Sequence, residues 1–125
     1  MRILLPISAV AAIRAVSRRR TSPETPLTVH IGRWTVDFDR REVRDGDGVV
    51  HLTRTEWQLL DVLVRNPGKL ISQRQLLQEV WGPTYLGQTQ YLRQYLAQLR
   101  RKLEDDPARP RHLLTEPGMG YRFHP

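Results

Sequence analysis

Apolar and polar residues follow three different patterns along this chain. Residues 3–13 are almost all apolar, residues 27–52 alternate between apolar and polar, and residues 53–104 carry apolar side chains every three or four positions. Alternation is typical of half-buried β-strands, and a spacing of three and four is typical of amphipathic helices. The order of these segments predicts an α+β fold, with strands first and helices afterwards.

The alternating segment predicts an antiparallel meander of about four strands. Its apolar-polar stretches are residues 27–31, 34–38, 42–44 and 49–52. Turn-forming residues separate them, including Asp-Arg-Arg and Asp-Gly-Asp-Gly. Asp37 and Asp39 lie at a strand end without a base or metal-ligand partner, so we interpret them as solvated acids and not as a catalytic pair.

The spacing of apolar residues predicts three helices in the next segment. Thr53 followed by Glu56 has the sequence of a capping box, as does Ser72 followed by Gln75, and each pair precedes apolar residues at helical spacing. The loop 82–88 contains Gly, Pro and Gly, and the third helix is expected to follow it as far as about Glu104. Two helices joined by such a loop are compatible with a helix-turn-helix.

The third predicted helix has two chemically different faces. Its leucines fall in one stripe when successive residues are placed about 100° apart; they are Leu92, Leu96, Leu99 and Leu103. Polar and small residues lie opposite the stripe or on one flank: Gln90, Arg93, Gln94, Ala97, Gln98, Arg100 and Arg101.

The chemistry of the outer face fits a DNA groove. It has no acid before Glu104, whereas a solvated helix commonly pairs Glu with Lys. A glutamine side chain can form paired hydrogen bonds with adenine, and an arginine can do so with guanine or can contact phosphate. A small alanine allows the helix to approach the bases closely. We therefore expect a face that contacts the major groove, with an ordinary solvated face as the alternative.

The C-terminal segment predicts a β-hairpin. Residues 111–123 alternate on both sides of a turn that contains Pro117, Gly118 and Gly120. A basic helix followed by a hairpin is the arrangement of a winged helix, in which the helix enters one groove of DNA and the hairpin reaches the adjacent backbone or minor groove.

Composition favours one small folded domain with an anionic partner. The chain has 125 residues, of which 39% are hydrophobic and 26% are charged, enough to support a folded core. Its formal net charge of +7 favours nucleic acid or an anionic membrane surface. Because Cys is absent, disulfides and thiolate chemistry are excluded, and a cytoplasmic location is the default expectation.

The apolar N-terminal segment is not expected to enter a membrane. A spanning helix needs about 20 apolar residues, and residues 3–13 are fewer and contain Pro6. A signal peptide carries its positive charge before the apolar run, whereas here the arginines follow it. We expect residues 1–26 to be a short helix with a flexible linker, and the folded domain to begin at residue 27.

The chain offers no pattern for catalysis. The four His, at 30, 51, 112 and 124, show no metal-ligand spacing, and we interpret them as structural. No nucleophile-base pair or phosphate-binding glycine loop is present either. We therefore expect no metal, no cofactor and no enzymatic activity. A protein-interaction module working through the loop 82–88 is the second hypothesis.

Three motifs in order resemble the effector domain of OmpR/PhoB-type response regulators. They are LTRTEWQLLDVLVRNPGKLISQRQLLQEVWG at 52–82, YLRQYLAQLRRKLE at 91–104 and GMGYRF at 118–123. The resemblance covers residues 27–123 and implies a winged helix-turn-helix with an N-terminal four-stranded antiparallel sheet, three helices and a C-terminal β-hairpin wing. Within the family, residues 72–83 and 103–123 are most similar to regulators of a potassium-transport operon.

The resemblance also implies roles for particular residues. The recognition helix would be 89–103, with Gln94 and Gln98 reading bases. Phosphate or base-edge positions would be Gln90, Arg93, Arg100 and Arg101, and backbone or wing contacts would come from Trp81, Thr115 and Arg122. Many relatives have an arginine where this chain has Pro117, so insertion of the wing into the minor groove is not expected at that position.

The resemblance implies several partners. The first is double-stranded promoter DNA with direct-repeat half-sites, bound as a dimer, and the second is RNA polymerase, contacted by the loop 82–88. A sensor kinase would act only through a receiver domain. We interpret residues 1–26 as a remnant of the last receiver helix plus a linker.

Overall fold

The computed structural model describes residues 28–125, so the predicted receiver remnant and linker in residues 1–26 lie outside the described part. The strands are β1 (Thr28–Ile31), β2 (Trp34–Asp37), β3 (Glu42–Asp45), β4 (Gly48–Val50), β5 (Leu70–Ser72), β6 (Leu113–Glu116) and β7 (Gly120–Phe123). The helices are α1 (Arg54–Val64), α2 (Gln73–Val80) and α3 (Thr89–Leu103), with a short 3-10 helix at Pro83–Tyr85. Within residues 28–125, no helix is long and apolar enough to cross a membrane.

The predicted meander is confirmed as a four-stranded antiparallel sheet in the order β1-β2-β3-β4. Its register aligns Val29 with Val36 and Val36 with Val43, so their side chains share one face. Val36 and Val43 are fully buried on that face. Asp37 accepts a hydrogen bond at 2.9 Å from the backbone N–H of Arg40, so this carboxylate stabilises the turn after β2.

The capping box predicted for α1 is confirmed. The Thr53 hydroxyl accepts from the N–H of Glu56 at 3.2 Å, and the Glu56 carboxylate accepts from the N–H of Thr53 at 2.7 Å. These bonds satisfy donors that a helix N-terminus otherwise leaves unpaired.

The second capping box, predicted for α2, is only half formed. Ser72 accepts from the N–H of Gln75 at 3.1 Å as expected. The side chain of Gln75 instead donates to Glu79 at 2.9 Å, one turn further along the helix. Ser72 also ends β5, where it pairs with Gly120, so the residue that caps α2 already belongs to a sheet.

The C-terminal hairpin is part of a larger sheet than the sequence predicted. Strand β5 pairs antiparallel with β7 and aligns Ile71 with Tyr121. The sheet order is β5-β7-β6, so β7 is the central strand. The wing is therefore attached to the connection between α1 and α2 as well as to its own hairpin partner.

The core lies between the two sheets and the three helices. The leucine stripe of α3 is buried as predicted, with Leu92, Leu96 and Leu99 at 0% exposure and Leu103 at 1%. Each such leucine contributes about 1.5–3 kcal/mol by leaving water. The α+β winged helix-turn-helix fold with three helices is confirmed.

Gly120→Ala is expected to destabilise the domain strongly. A Cβ at this position would overlap the carbonyl oxygen of Ile71 in the neighbouring strand, so β5 and β7 could not keep their register. The loss in free energy of unfolding should reach about 3 kcal/mol or more, measured by urea denaturation.

Gly87→Ala is the matched control for this substitution. Its added Cβ has open space and its φ is not positive, so stability should change by less than about 0.5 kcal/mol. Equal stability of the two variants would contradict the close approach of β5 to β7.

Candidate nucleic-acid interface

The outer face of α3 presents most of the predicted contact residues to solvent. Gln90, Arg93, Gln94 and Arg101 are exposed, whereas Gln98 and Ala97 are half-buried. Gln90 donates to the side chain of Gln88 at 2.7 Å, which orients it near the start of the helix. Within residues 28–125, no ion pair engages Arg93 or Arg101, so the face is free to attract phosphate.

An aromatic cluster covers the N-terminal flank of α3. Trp81 lies 5.4 Å from Tyr95 and 5.9 Å from Tyr91 between ring centroids, and Tyr91 lies 6.0 Å from Tyr85 in the loop. With Gln94 these rings line an open cleft of about 400 Å³. Trp81 is half-buried and packs the end of α2 against α3, while Tyr85 packs the loop against the same helix. Helical spacing alone did not predict this cluster, although the aromatic residues were visible in the sequence.

Arg100 and Thr115, predicted as separate DNA contacts, are bonded to each other. The Arg100 Nε donates to the carbonyl of Leu113 at 2.8 Å and its Nη2 donates to the Thr115 hydroxyl at 2.6 Å. Burial lowers the pKa of Arg100 from its ordinary value, against the opposing effects of Tyr121 and Glu104. The guanidinium remains charged at neutral pH because arginine ionises so far above it.

Glu104, which received no functional role from the sequence, connects the end of α3 to the wing. Its carboxylate accepts three backbone N–H groups, from Arg111 at 2.9 Å, His112 at 2.9 Å and Leu113 at 2.7 Å. The residue is only 7% exposed. Hydrogen bonds to an ionised acceptor are stronger than neutral ones, so this contact holds the segment that enters β6.

Lys102 makes a second contact that the sequence did not predict. Its Nζ lies 2.6 Å from the carboxylate of Glu56, which is completely buried, and 3.0 Å from the carbonyl of His51. Glu56 therefore serves both the capping box of α1 and an ion pair to α3. The pair joins residues 46 positions apart, and such distant contacts leave no local signal in the sequence.

Arg122 lies on the opposite side of the wing sheet from the Arg100–Thr115 contact. It falls between the buried residues Tyr121 and Phe123, so its side chain points to the other face. Its Nε contacts Glu116 at 3.2 Å and its Nη1 donates to the carbonyl of Gly68 at 2.7 Å. The predicted wing cation is thus engaged within the protein. The turn itself exposes Met119 at 60%.

Comparison with known proteins identifies the family. A family model described as "Transcriptional regulatory protein, C terminal" matches residues 47–123, which include α1, α2, α3 and the wing. The chain belongs to this family.

Curated relatives of this chain include KdpE proteins. The transcriptional regulatory protein KdpE of Mycobacterium tuberculosis H37Rv is 54% identical over 117 residues, covering 91% of this chain and 51% of the relative. The KDP operon transcriptional regulatory protein KdpE of Escherichia coli K12 is 48% identical over 114 residues, covering 90% and 51%. The chain therefore spans about half the length of the curated relatives that it matches.

Solved structures agree with the family assignment. The DNA-binding domain of Klebsiella pneumoniae RstA in complex with the RstA box has a TM-score of 0.67 at 29% identity, over 78% of this chain and 96% of that one. Thermotoga maritima DrrB, an OmpR/PhoB homologue, has a TM-score of 0.65 at 27% identity, over 79% and 45%. The chain is an OmpR/PhoB-type, KdpE-like DNA-binding domain. Its family consists of transcriptional regulators and not of enzymes.

Glu104→Gln is expected to loosen the wing of this family member. The amide removes the negative charge and turns one acceptor into a donor that faces backbone N–H groups, which should cost about 2–3 kcal/mol of unfolding free energy. Amide hydrogen exchange at residues 111–113 should become faster, as measured by mass spectrometry or NMR.

Asp105→Asn is the control for Glu104→Gln. Asp105 is the next residue and is exposed, so the same chemical change should leave stability and exchange at 111–113 almost unchanged. If both variants behaved alike, the Glu104 carboxylate would not be what holds the wing.

Proposed function

We propose that this chain is the effector part of a KdpE-type response regulator, which binds a promoter site in double-stranded DNA through α3 and reads its sequence. The single observation that carries this proposal is the outer face of α3. It exposes glutamine and arginine without an acid, while the leucine stripe, the Lys102–Glu56 pair and the Glu104 contacts hold the helix in place.

Base reading is assigned to glutamines of α3. Gln94 is exposed and Gln98 is half-buried, so their amide groups can reach base edges while their stems rest on the helix surface. A glutamine amide can donate to and accept from adenine at once, which suggests an A·T-rich target. Ala97 lies on the same side and allows the helix to approach the groove closely.

Phosphate contact is assigned to arginines around this face. Arg93 and Arg101 are exposed and have no ion-pair partner within residues 28–125. Gln90 lies near the helix start, where it can add a backbone or base-edge contact. A contact from Arg122 would compete with its bonds to Glu116 and Gly68, and one from Trp81 would use the edge of the aromatic cluster.

The proposed biology follows the KdpE relatives. Control of a potassium-transport operon is supported by the similarity to regulators named KdpE. We further propose a cytoplasmic protein that binds direct-repeat half-sites as a dimer, with the sensor kinase acting through a receiver domain. The loop 82–88 would contact RNA polymerase, because it presents Tyr85 at the surface of the aromatic cluster.

A second candidate function is a protein-interaction module without strong sequence-specific DNA binding. It is favoured by the same loop, whose Tyr85 is one of the few large hydrophobic residues exposed between residues 28 and 125. This candidate predicts that the affinity for DNA changes little when the DNA sequence is changed. The absence of acid from the outer face of α3 favours the DNA-binding candidate.

Gln94→Ala combined with Gln98→Ala should remove sequence preference. The full chain is titrated with an A·T-rich direct-repeat duplex and with a scrambled duplex at several salt concentrations, with fluorescence anisotropy as the readout. We expect each glutamine to account for about 1–3 kcal/mol of discrimination, while nonspecific affinity stays nearly unchanged.

Gln58→Ala, an exposed glutamine of α1, is the control for the double substitution. It should preserve the preference. Equal binding of wild type to both duplexes would refute sequence-specific recognition and favour the interaction module, and equal binding to a G·C-rich competitor would refute the A·T assignment.

Arg93→Gln and Arg101→Gln should weaken binding to both duplexes by a similar factor. If each arginine neutralises one phosphate, the slope of log affinity against log salt should fall by about one for each substitution. Arg33→Gln, in the turn between β1 and β2 where Arg33 pairs with Asp45, is the charge-matched control, and it should leave the slope unchanged. An unchanged slope in the two α3 variants would remove these arginines from the interface.

A further inference from the structure

We infer that Arg100 is a positioning residue for the wing, which acts on DNA through Thr115 and β6 and not through its own contact with phosphate. The inference rests on the proposed DNA-binding function and specifies how the helix and the wing of that site are kept in register. The resemblance to the family implied a different role for Arg100, a direct phosphate or base-edge contact.

Geometry is the first support for this role. The Nε and Nη2 atoms of Arg100 point to two acceptors on β6, the carbonyl of Leu113 and the hydroxyl of Thr115, at 2.8 and 2.6 Å. The Leu113 acceptor is a backbone carbonyl and the Thr115 acceptor is a side-chain hydroxyl, and the two residues lie only two positions apart in one strand. The planar fork of a guanidinium can serve both at once, which an ammonium group cannot do with the same geometry.

The edge position of β6 gives the contact its importance. In the sheet order β5-β7-β6, strand β6 has only one neighbouring strand. Side chains at the C-terminal end of α3 and in the residue that follows it satisfy both backbone polar groups of Leu113, because Glu104 accepts its N–H at 2.7 Å and Arg100 donates to its carbonyl. At Leu113 the edge of the wing is therefore held by the end of α3, and the spacing between the helix and the wing is set by contacts inside the protein.

The neighbouring arginine shows the contrast between positioning and phosphate contact. Arg101 is exposed, whereas Arg100 is half-buried and faces Tyr121 and Glu104, which raise its pKa against the larger effect of burial. Releasing Arg100 to a phosphate would leave the Leu113 carbonyl without this donor, which costs free energy at a half-buried site. Arg101 can reach a phosphate without giving up a contact of this kind.

The test is a double-mutant cycle on the full chain with Arg100→Gln, Thr115→Val and both together. Binding is measured against the duplex that wild type prefers. If Arg100 acts through Thr115, either substitution should lower affinity by about tenfold and the double variant should be no worse than the single ones. Hydroxyl-radical footprinting should show lost protection beside the wing and retained protection in the major groove.

Conservative variants separate positioning from charge. Arg100→Lys keeps the positive charge but loses the fork, so we expect it to lose wing protection as Arg100→Gln does. Thr115→Ser keeps the hydroxyl acceptor and should bind like wild type. Arg101→Gln is the phosphate-contact control, with a salt slope lower by about one and an intact wing footprint.

Three results would overturn the inference. The first is that the losses of affinity in Arg100→Gln and Thr115→Val add up in the double variant. The second is that Arg100→Lys binds DNA like wild type. The third is that Arg100→Gln lowers the slope of log affinity against log salt by about one even in the Thr115→Val background. Each would mean that Arg100 contacts phosphate itself. A wild-type chain that shows no sequence preference would refute the proposed function instead, and this is visible before any variant is compared.

Discussion

The free energy gained by burying the leucine stripe of α3 determines which side of that helix remains at the surface. Leu92, Leu96, Leu99 and Leu103 have almost no exposure, and together they orient the helix about its own axis. Any rotation that exposed Arg100 further or hid Gln94 would bring a leucine into water. The polar face needs no separate mechanism to point outward, because the packing of the apolar face already defines it.

Polar contacts then restrict the motions that apolar packing alone would permit. Lys102 holds one flank of α3 to Glu56 at the start of α1, and Arg100 holds the opposite flank to β6. Glu104 attaches the C-terminal end to the segment before β6. Hydrophobic contact is non-directional and tolerates sliding, whereas these charge-assisted bonds require defined distances. The helix and the wing are thus held at a defined spacing, which the proposed contact with DNA requires.

Local patterns in the sequence predicted the elements well, and distant contacts escaped prediction. Thr53 with Glu56 indicated a capping box because both partners lie within one helical turn, and the leucine stripe followed from spacing alone. Ser72 with Gln75 had the same local pattern, but Gln75 had a competing partner in Glu79. The third strand of the wing sheet, the role of Glu104 and the bond from Arg100 to Thr115 all depend on residues brought together by the fold. The roles of the predicted DNA-contacting residues remain predictions.

The central place of β7 in the wing sheet bears on how the domain is made in the cell. Residues 120–123 follow all the other elements in chain order, yet β5 and β6 meet only through them. The ribosome synthesises the chain from its N-terminal end, so the residues of α1, α2 and α3 are all present while β5 still lacks a partner strand. A translation product that stopped before Gly120 would lose the centre of this sheet and not its edge. The wing sheet can therefore assemble only after residues 120–123 have been synthesised.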